Sequence, residues 1–250
     1  MIASLMMYAR PELDAAQGRY WELIRAELAE RGIAAPTHLA NTVDPIAVWT
    51  SPDLVLSQTC GMPYRRFLHG KVVLVGTPDF GVEGCPPGYY HSVIVVHRED
   101  ARERLVDYAD ARFAYNETGS QSGYAAPHAL ARAMGFWFKD RLQTHGHLNS
   151  ARAVAEGRAD IAALDAVSWR LMQRYDGFAQ DLRVLTVTKP TPGLPYITGL
   201  TDQAGAVFAA VSAAIGKLDN KDLAALGLRG IVRIPATDYL AIPNPPPEDC

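Results

Sequence analysis

Apolar residues recur along the chain in two rhythms. Within residues 11–31, Trp21, Ile24 and Leu28 repeat at three- and four-residue spacing, which is one face of a helix, and Gly32 supplies its stop. Short apolar runs follow at 2–7, 53–57, 71–76 and Ser92–His97, the last rich in the β-branched residues that suit a pleated strand. A strand is expected at 112–115, running into a loop at 116–123 and then a helix that stops at Gly135. Beyond it the pattern predicts a helix after a Ser150 cap ending at Gly157, a strand over 159–164, a helix over Ala166–Tyr175 and a strand over 182–188. Thr201 is placed to cap the long Ala-rich helix after it. Strands alternating with helices predict an α/β fold with largely parallel sheets. The two long strands at 89–97 and 182–188 suit passages between lobes, giving a first lobe of residues 1–90 with 190–250 and a second of 91–189.

Bulk properties narrow the function without naming it. At 250 residues the chain accommodates two such lobes. Its formal charge of -3, with no local cluster of Lys and Arg, gives no footprint for nucleic acid. No stretch reaches the ~18–20 unbroken apolar residues of a membrane helix, so no membrane insertion is expected. The N-terminus lacks a basic segment followed by a long apolar one and reads as a first strand. A periplasmic location therefore requires that a signal peptide has been removed; otherwise the expected compartment is the cytoplasm. Cys60 and Cys85 are a candidate disulfide that closes a loop of roughly 25 residues, worth about 3.5 kcal/mol in the chain-entropy treatment; two reduced cysteines are the alternative. Cys250 ends a tail with Pro243, Pro245, Pro246 and Pro247, expected to be disordered.

Two segments carry chemistry. Gly119-Ser120-Gln121-Ser122-Gly123 lies between a strand and a helix. A helix start presents unpaired N–H groups and about half a positive charge, and two serine hydroxyls add donors, so an anion can be cradled without Lys or Arg. A plain serine N-cap is the simpler reading. The missing Gly-Lys-Ser/Thr ending excludes a Walker A loop. The second segment is Thr144-His145-Gly146-His147-Leu148-Asn149-Ser150. A histidine there can donate to an anion, whereas two histidines without further ligands do not make a metal site. No metal and no cofactor are expected.

These segments resemble the phosphate/phosphite/phosphonate substrate-binding proteins of ABC transporters. The resemblance rests on Phe113-Ala114-Tyr115-Asn116 through Ser120-Gln121-Ser122-Gly123-Tyr124, and on Gly146-His147 with the run from Ser150 to Asp165. Lys189-Pro190-Thr191-Pro192-Gly193-Leu194-Pro195 and Tyr89-Tyr90-His91-Ser92-Val93-Ile94-Val95 add to it, in the family's order, over roughly residues 50–200. It implies a type II periplasmic-binding-protein fold, with two α/β lobes joined by two crossover strands and a ligand cleft between them. It also implies that Ser120, Gln121 and Ser122 hold a phosphonate, phosphite or phosphate-ester oxyanion. His147 would donate to it, protonated by the adjacent anion, so that affinity falls as pH rises. Tyr90 would add a phenol, and Asp165 would meet an ammonium or a protonated ligand oxygen. Tyr8 would face the cleft, and Gln58 stands in the Ser57–Tyr64 stretch where the phosphonate receptors place an aromatic. The expected function is solute binding for an ABC permease. A cytoplasmic ligand sensor and a biosynthetic enzyme on the same fold are the alternatives. No catalytic residue is assigned, since only His147 with Asp165 offers an acid/base pair and Cys60 lacks a partner histidine.

Overall fold

The opening apolar run stays extended only over β1 (Ile2–Ser4), and Met6–Tyr8 close into a 3-10 turn. After helix Asp14–Ala29 come β2 (Leu54–Gln58) and β3 (Val73–Asp79). The expected strand over 89–97 is broken at His91 into β4 (Tyr89–Tyr90) and β5 (Ser92–His97). There the His91 carbonyl accepts from the Ala166 N–H, the position opposite it in the antiparallel β5–β8 register. Then follow β6 (Phe113–Tyr115), β7 (Arg141–Gln143), β8 (Ile161–Asp165) and β9 (Leu182–Val187). Next come β10 (Thr191–Pro192), β11 (Tyr196–Thr198), helix Ala204–Lys217 and β12 (Gly230–Val232), with helix Ala236–Leu240 after them. Thr201 lies in a 3-10 turn and does not cap the Ala-rich helix, whose N-cap position is Gln203.

This computed structural model describes residues 1–249 and falls into two units. One comprises Met1–Tyr89 and Pro192–Ala241; the other comprises Tyr90–Thr191 and the described residues from Ile242 onward. The tail thus groups with the second unit, not with the first as the sequence suggested. In place of the expected disorder, Pro245 is buried and Pro247–Asp249 form a 3-10 turn. Cys250 lies outside the described residues.

The first unit holds a five-stranded sheet in the order β1-β2-β11-β3-β12. Its main core joins Trp21, Ile24 and Leu28 of the first helix to Val207, Val211 and Ile215 of helix Ala204–Lys217. Cys60 and Cys85 are both thiols, which corrects the candidate disulfide. Cys60 follows β2 and Cys85 follows β3, and β11 lies between those strands.

The second unit holds a five-stranded sheet in the order β7-β6-β8-β5-β9. Alternate residues on its strands point to opposite faces. Val93, Val95, Ala162 and Leu164 pack with Ala151, Val154, Trp169 and Met172, while Ile94, Val96, Ile161 and Ala163 pack with Tyr108, Tyr124, Trp137 and Phe138. Covered faces explain why these strands read as continuous apolar runs and not as alternating ones.

Candidate functional site

In the second unit β6 runs parallel to both β7 and β8, so three strands end at the same sheet edge. Each is followed by a helix start: Gln121 after β6, His147 after β7 and Ala166 after β8. Hydrogen bonding between β6 and β7 continues past the strands, with Thr144 N–H donating to the Tyr115 carbonyl at 2.9 Å and His145 N–H to the Asn116 carbonyl at 3.0 Å. His145 adopts φ 60, a left-handed conformation that few side chains accept, and this turns the chain into the next helix. That helix, His147–Ala155, begins four residues earlier than the sequence suggested. Ser150 is therefore inside it, fully buried, with Oγ 2.6 Å from Thr144 Oγ1. His147 stands on the first turn, not in a loop.

The two helix starts meet at a pair of side chains. Ser122 Oγ and His147 Nε2 are 3.0 Å apart. Ser120 is the N-cap, its Oγ accepting from Gly123 N–H at 3.0 Å, and a wide turn over Gln121–Ala125 leads into helix Ala126–Ala133. A capping hydroxyl of this kind contributes about 1 kcal/mol and keeps its own hydrogen to donate. Ser120, Gln121 and Ser122 are all buried. Gly123 is required by space: a Cβ there would lie 1.9 Å from Asn116 Oδ1 and 3.2 Å from His147 Cε1.

The electrostatics come from helix ends. Each helix start carries roughly half a positive charge, and anions beside one gain about 0.3–1 kcal/mol, rising towards ~2 when partly buried. Burial holds the His147 imidazole well below its ordinary value, at about 4. In the unliganded protein the ring is therefore neutral at physiological pH, because the apolar surroundings disfavour the charge. The Ala163 backbone lies against the ring, and the buried Nδ1 makes no hydrogen bond of normal geometry.

The other expected site residues are dispersed over both units. Asp165 ends β8 at the same edge as the serines, and its Oδ1 caps the next helix by accepting from Val167 N–H at 2.7 Å and Ser168 N–H at 2.9 Å. Tyr90 is buried in β4, the first residue of the second unit. Tyr8 and Gln58 belong to the first unit and line one cavity of about 30 Å³ with Leu5, Gln17, Tyr20 and Tyr196. The Tyr8 ring meets Phe80 edge-on at 5.0 Å. Gln58 Nε2 donates to the Leu194 carbonyl at 3.1 Å.

The sequence profile of a family described as the periplasmic phosphonate substrate-binding protein of ABC transporters matches residues 60–239. The chain belongs to this family. No curated protein sequence matches it. Among solved structures, PhnD1 from Prochlorococcus marinus in complex with methylphosphonate superposes with TM-score 0.72 at 15% identity, over 96% of this chain and 94% of that one. A binding protein component of an ABC phosphonate transporter from Pseudomonas aeruginosa gives 0.68 at 17%, over 96% and 82%. A Xanthomonas citri protein bound to ATP also gives 0.68 at 17%, over 95% and 91%. The shared fold is that of the type II periplasmic binding proteins, two α/β lobes with the chain passing between them. No helix among the described residues is long and apolar enough to cross a membrane.

Sequence reading did not single out two residues that shape the turns around Ser122 and His147. Asn116, at the exit of β6, places its buried Oδ1 against Gly123, where it has no hydrogen-bond partner. Thr144 pins the second loop, donating through Oγ1 to the Tyr115 carbonyl at 3.0 Å. A polar residue directly after each of two paired strands is the available signal, but it becomes legible only once β6 and β7 are known to be neighbours.

Proposed function

We propose that the second unit binds the tetrahedral oxyanion of a phosphonate, phosphite or phosphate ester at the paired helix starts of Gln121 and His147. The protein would serve as the solute-binding component of an ABC importer, working with a permease in the periplasm. The observation that carries this reading is the Ser122–His147 contact of 3.0 Å at the junction of two helix N-termini. With its proton on Nε2, the neutral imidazole donates to Ser122 Oγ, and the Ser122 hydroxyl hydrogen turns outward to an anion. His147 then aims a donor instead of supplying charge. Asp165 neutralises part of the third helix start through its cap, which leaves the anion to the other two.

The same serine–histidine contact has the outline of a nucleophile and its base, so an enzyme is the second reading. An imidazole at about 4 is a poor base near neutrality, and Nδ1 has no carboxylate to orient it. Both facts favour binding over turnover.

Thermal unfolding tests the ligand class. At a hundred times its dissociation constant a ligand stabilises the fold by about 2.7 kcal/mol. Methylphosphonate, phosphite or phosphate esters are expected to raise the melting temperature, and sugars and neutral amino acids to leave it unchanged. The reverse pattern would refute the oxyanion assignment.

A further inference from the structure

The helical segment that starts at the serine cradle carries a second set of polar groups further along one side. Tyr124, His128 and Arg132 are spaced four apart, so they stack along one helix face. Arg141, at the start of β7, reaches the same place, its Nη1 donating to Tyr124 Oη at 2.5 Å. None of these groups takes part in the oxyanion cradle.

All four converge on one acidic residue of the C-terminal tail. Asp249 Oδ2 lies 2.8 Å from His128 Nε2 and 2.6 Å from Arg132 Nη2. The Asp249 backbone carbonyl accepts from Tyr124 Oη and from Arg141 Nη1. Trp137 forms a wall, its ring 4.8 Å from that of His128 and 5.9 Å from the Arg141 guanidinium. The His128 and Asp249 side chains are only 10% and 14% exposed, so the contact is shielded from water, unlike an ordinary surface ion pair. Upstream, Pro245 is buried as well, so the tail is held at more than its tip. Prolines restrict the unbound segment and lower the entropy lost on docking.

We propose that Tyr124, His128, Arg132 and Arg141 form a carboxylate-binding site whose occupant is the chain's own C-terminal segment, docked through Asp249 as a releasable strap. The chain passes from the first unit to the second at Tyr89–Tyr90, returns at Thr191–Pro192, and enters the second unit again after Ala241. The strap is therefore a third passage, and unlike the other two it ends in a contact made only of side chains and a terminal turn. Its receptor face belongs to the helical segment whose first turn forms the cradle.

A nitroxide attached to Cys250 in the full-length Cys60→Ser/Cys85→Ser protein tests this by electron paramagnetic resonance. An immobilised spectrum is expected with the tail intact. Asp249→Ala and Arg132→Ala/Arg141→Ala should each raise the ratio of mobile to immobile signal at least about tenfold, the factor a charge-assisted hydrogen bond typically carries. Asp249→Asn, which keeps a neutral side-chain acceptor for His128 and Arg132, should fall between them and the parent. A mobile spectrum in the parent, or an immobilised one unchanged by all three variants, overturns the proposal. So does immobilisation that appears only as the protein dimerises, because the site would then hold the tail of a second copy.

Discussion

Gly123→Ala is expected to abolish tight binding of methylphosphonate, lowering affinity more than about a hundredfold, or roughly 3 kcal/mol. Its cause is steric, since an added methyl falls 1.9 Å from Asn116 Oδ1 and 3.2 Å from His147 Cε1. Backbone strain plays no part, because Gly123 is not among the residues with positive φ. Asn116 must swing out or the first turn must shift, and either displaces Ser122 from His147. Forcing one methyl into a filled site costs about 1–3 kcal/mol of stability as well, which chemical denaturation would register. The double variant Asn116→Ala/Gly123→Ala makes room for the methyl and should recover most of that stability. Calorimetry on both proteins separates a misplaced cradle from a misfolded one. Wild-type affinity in Gly123→Ala would show that the ligand does not depend on this turn.

A second large effect comes from the buried imidazole. His147 is neutral when folded down to about 4, whereas an unfolded chain protonates it at about 6.5. Its folded value is the depressed one, so its contribution to stability is fully present above about 6.5 and is lost as pH falls towards 4. The difference amounts to about 3 kcal/mol across that window. Urea unfolding at pH 7 and pH 4.5 should show wild type losing about 2–3 kcal/mol more than His147→Asn, with every other titrating group common to the two proteins. Equal losses would mean that the imidazole is reached by water. The same reasoning predicts that ligand affinity does not follow an ordinary histidine titration between pH 5.5 and 8.5.

The α/β class and most elements of the second unit were legible because β5, β6 and β8 are buried on both faces. Unbroken apolar runs such as Val93–Val96 admit few other readings. Helix ends marked by Gly32, Gly135 and Gly157 were legible too, as each takes the positive φ that a glycine stop needs. Helix starts were harder. Ser150 resembles an N-cap, yet the helix begins at His147, because pairing between β6 and β7 fixes where the loop ends, and sequence order does not show that pairing. The burial of His147 was hidden for a related reason: an exposed loop histidine and a buried first-turn histidine share one letter. Asp249 was hidden by composition. A Pro-rich tail reads as disordered until Tyr124, His128, Arg132 and Arg141 are seen on the face that receives it.

The central claim is that an oxyanion sits at the paired helix starts of the second unit, and backbone amide resonances report on it directly. In a 15N-resolved NMR titration with methylphosphonate, the largest shifts should fall on Gln121, Ser122 and Gly123, followed by His147 and Leu148, because amide protons move most where a new acceptor arrives. Inorganic sulfate at the same ionic strength controls for salt. Saturable shifts centred on those residues are the predicted result. Saturable binding that leaves the amides of residues 120–124 and 147–148 in place would contradict the account.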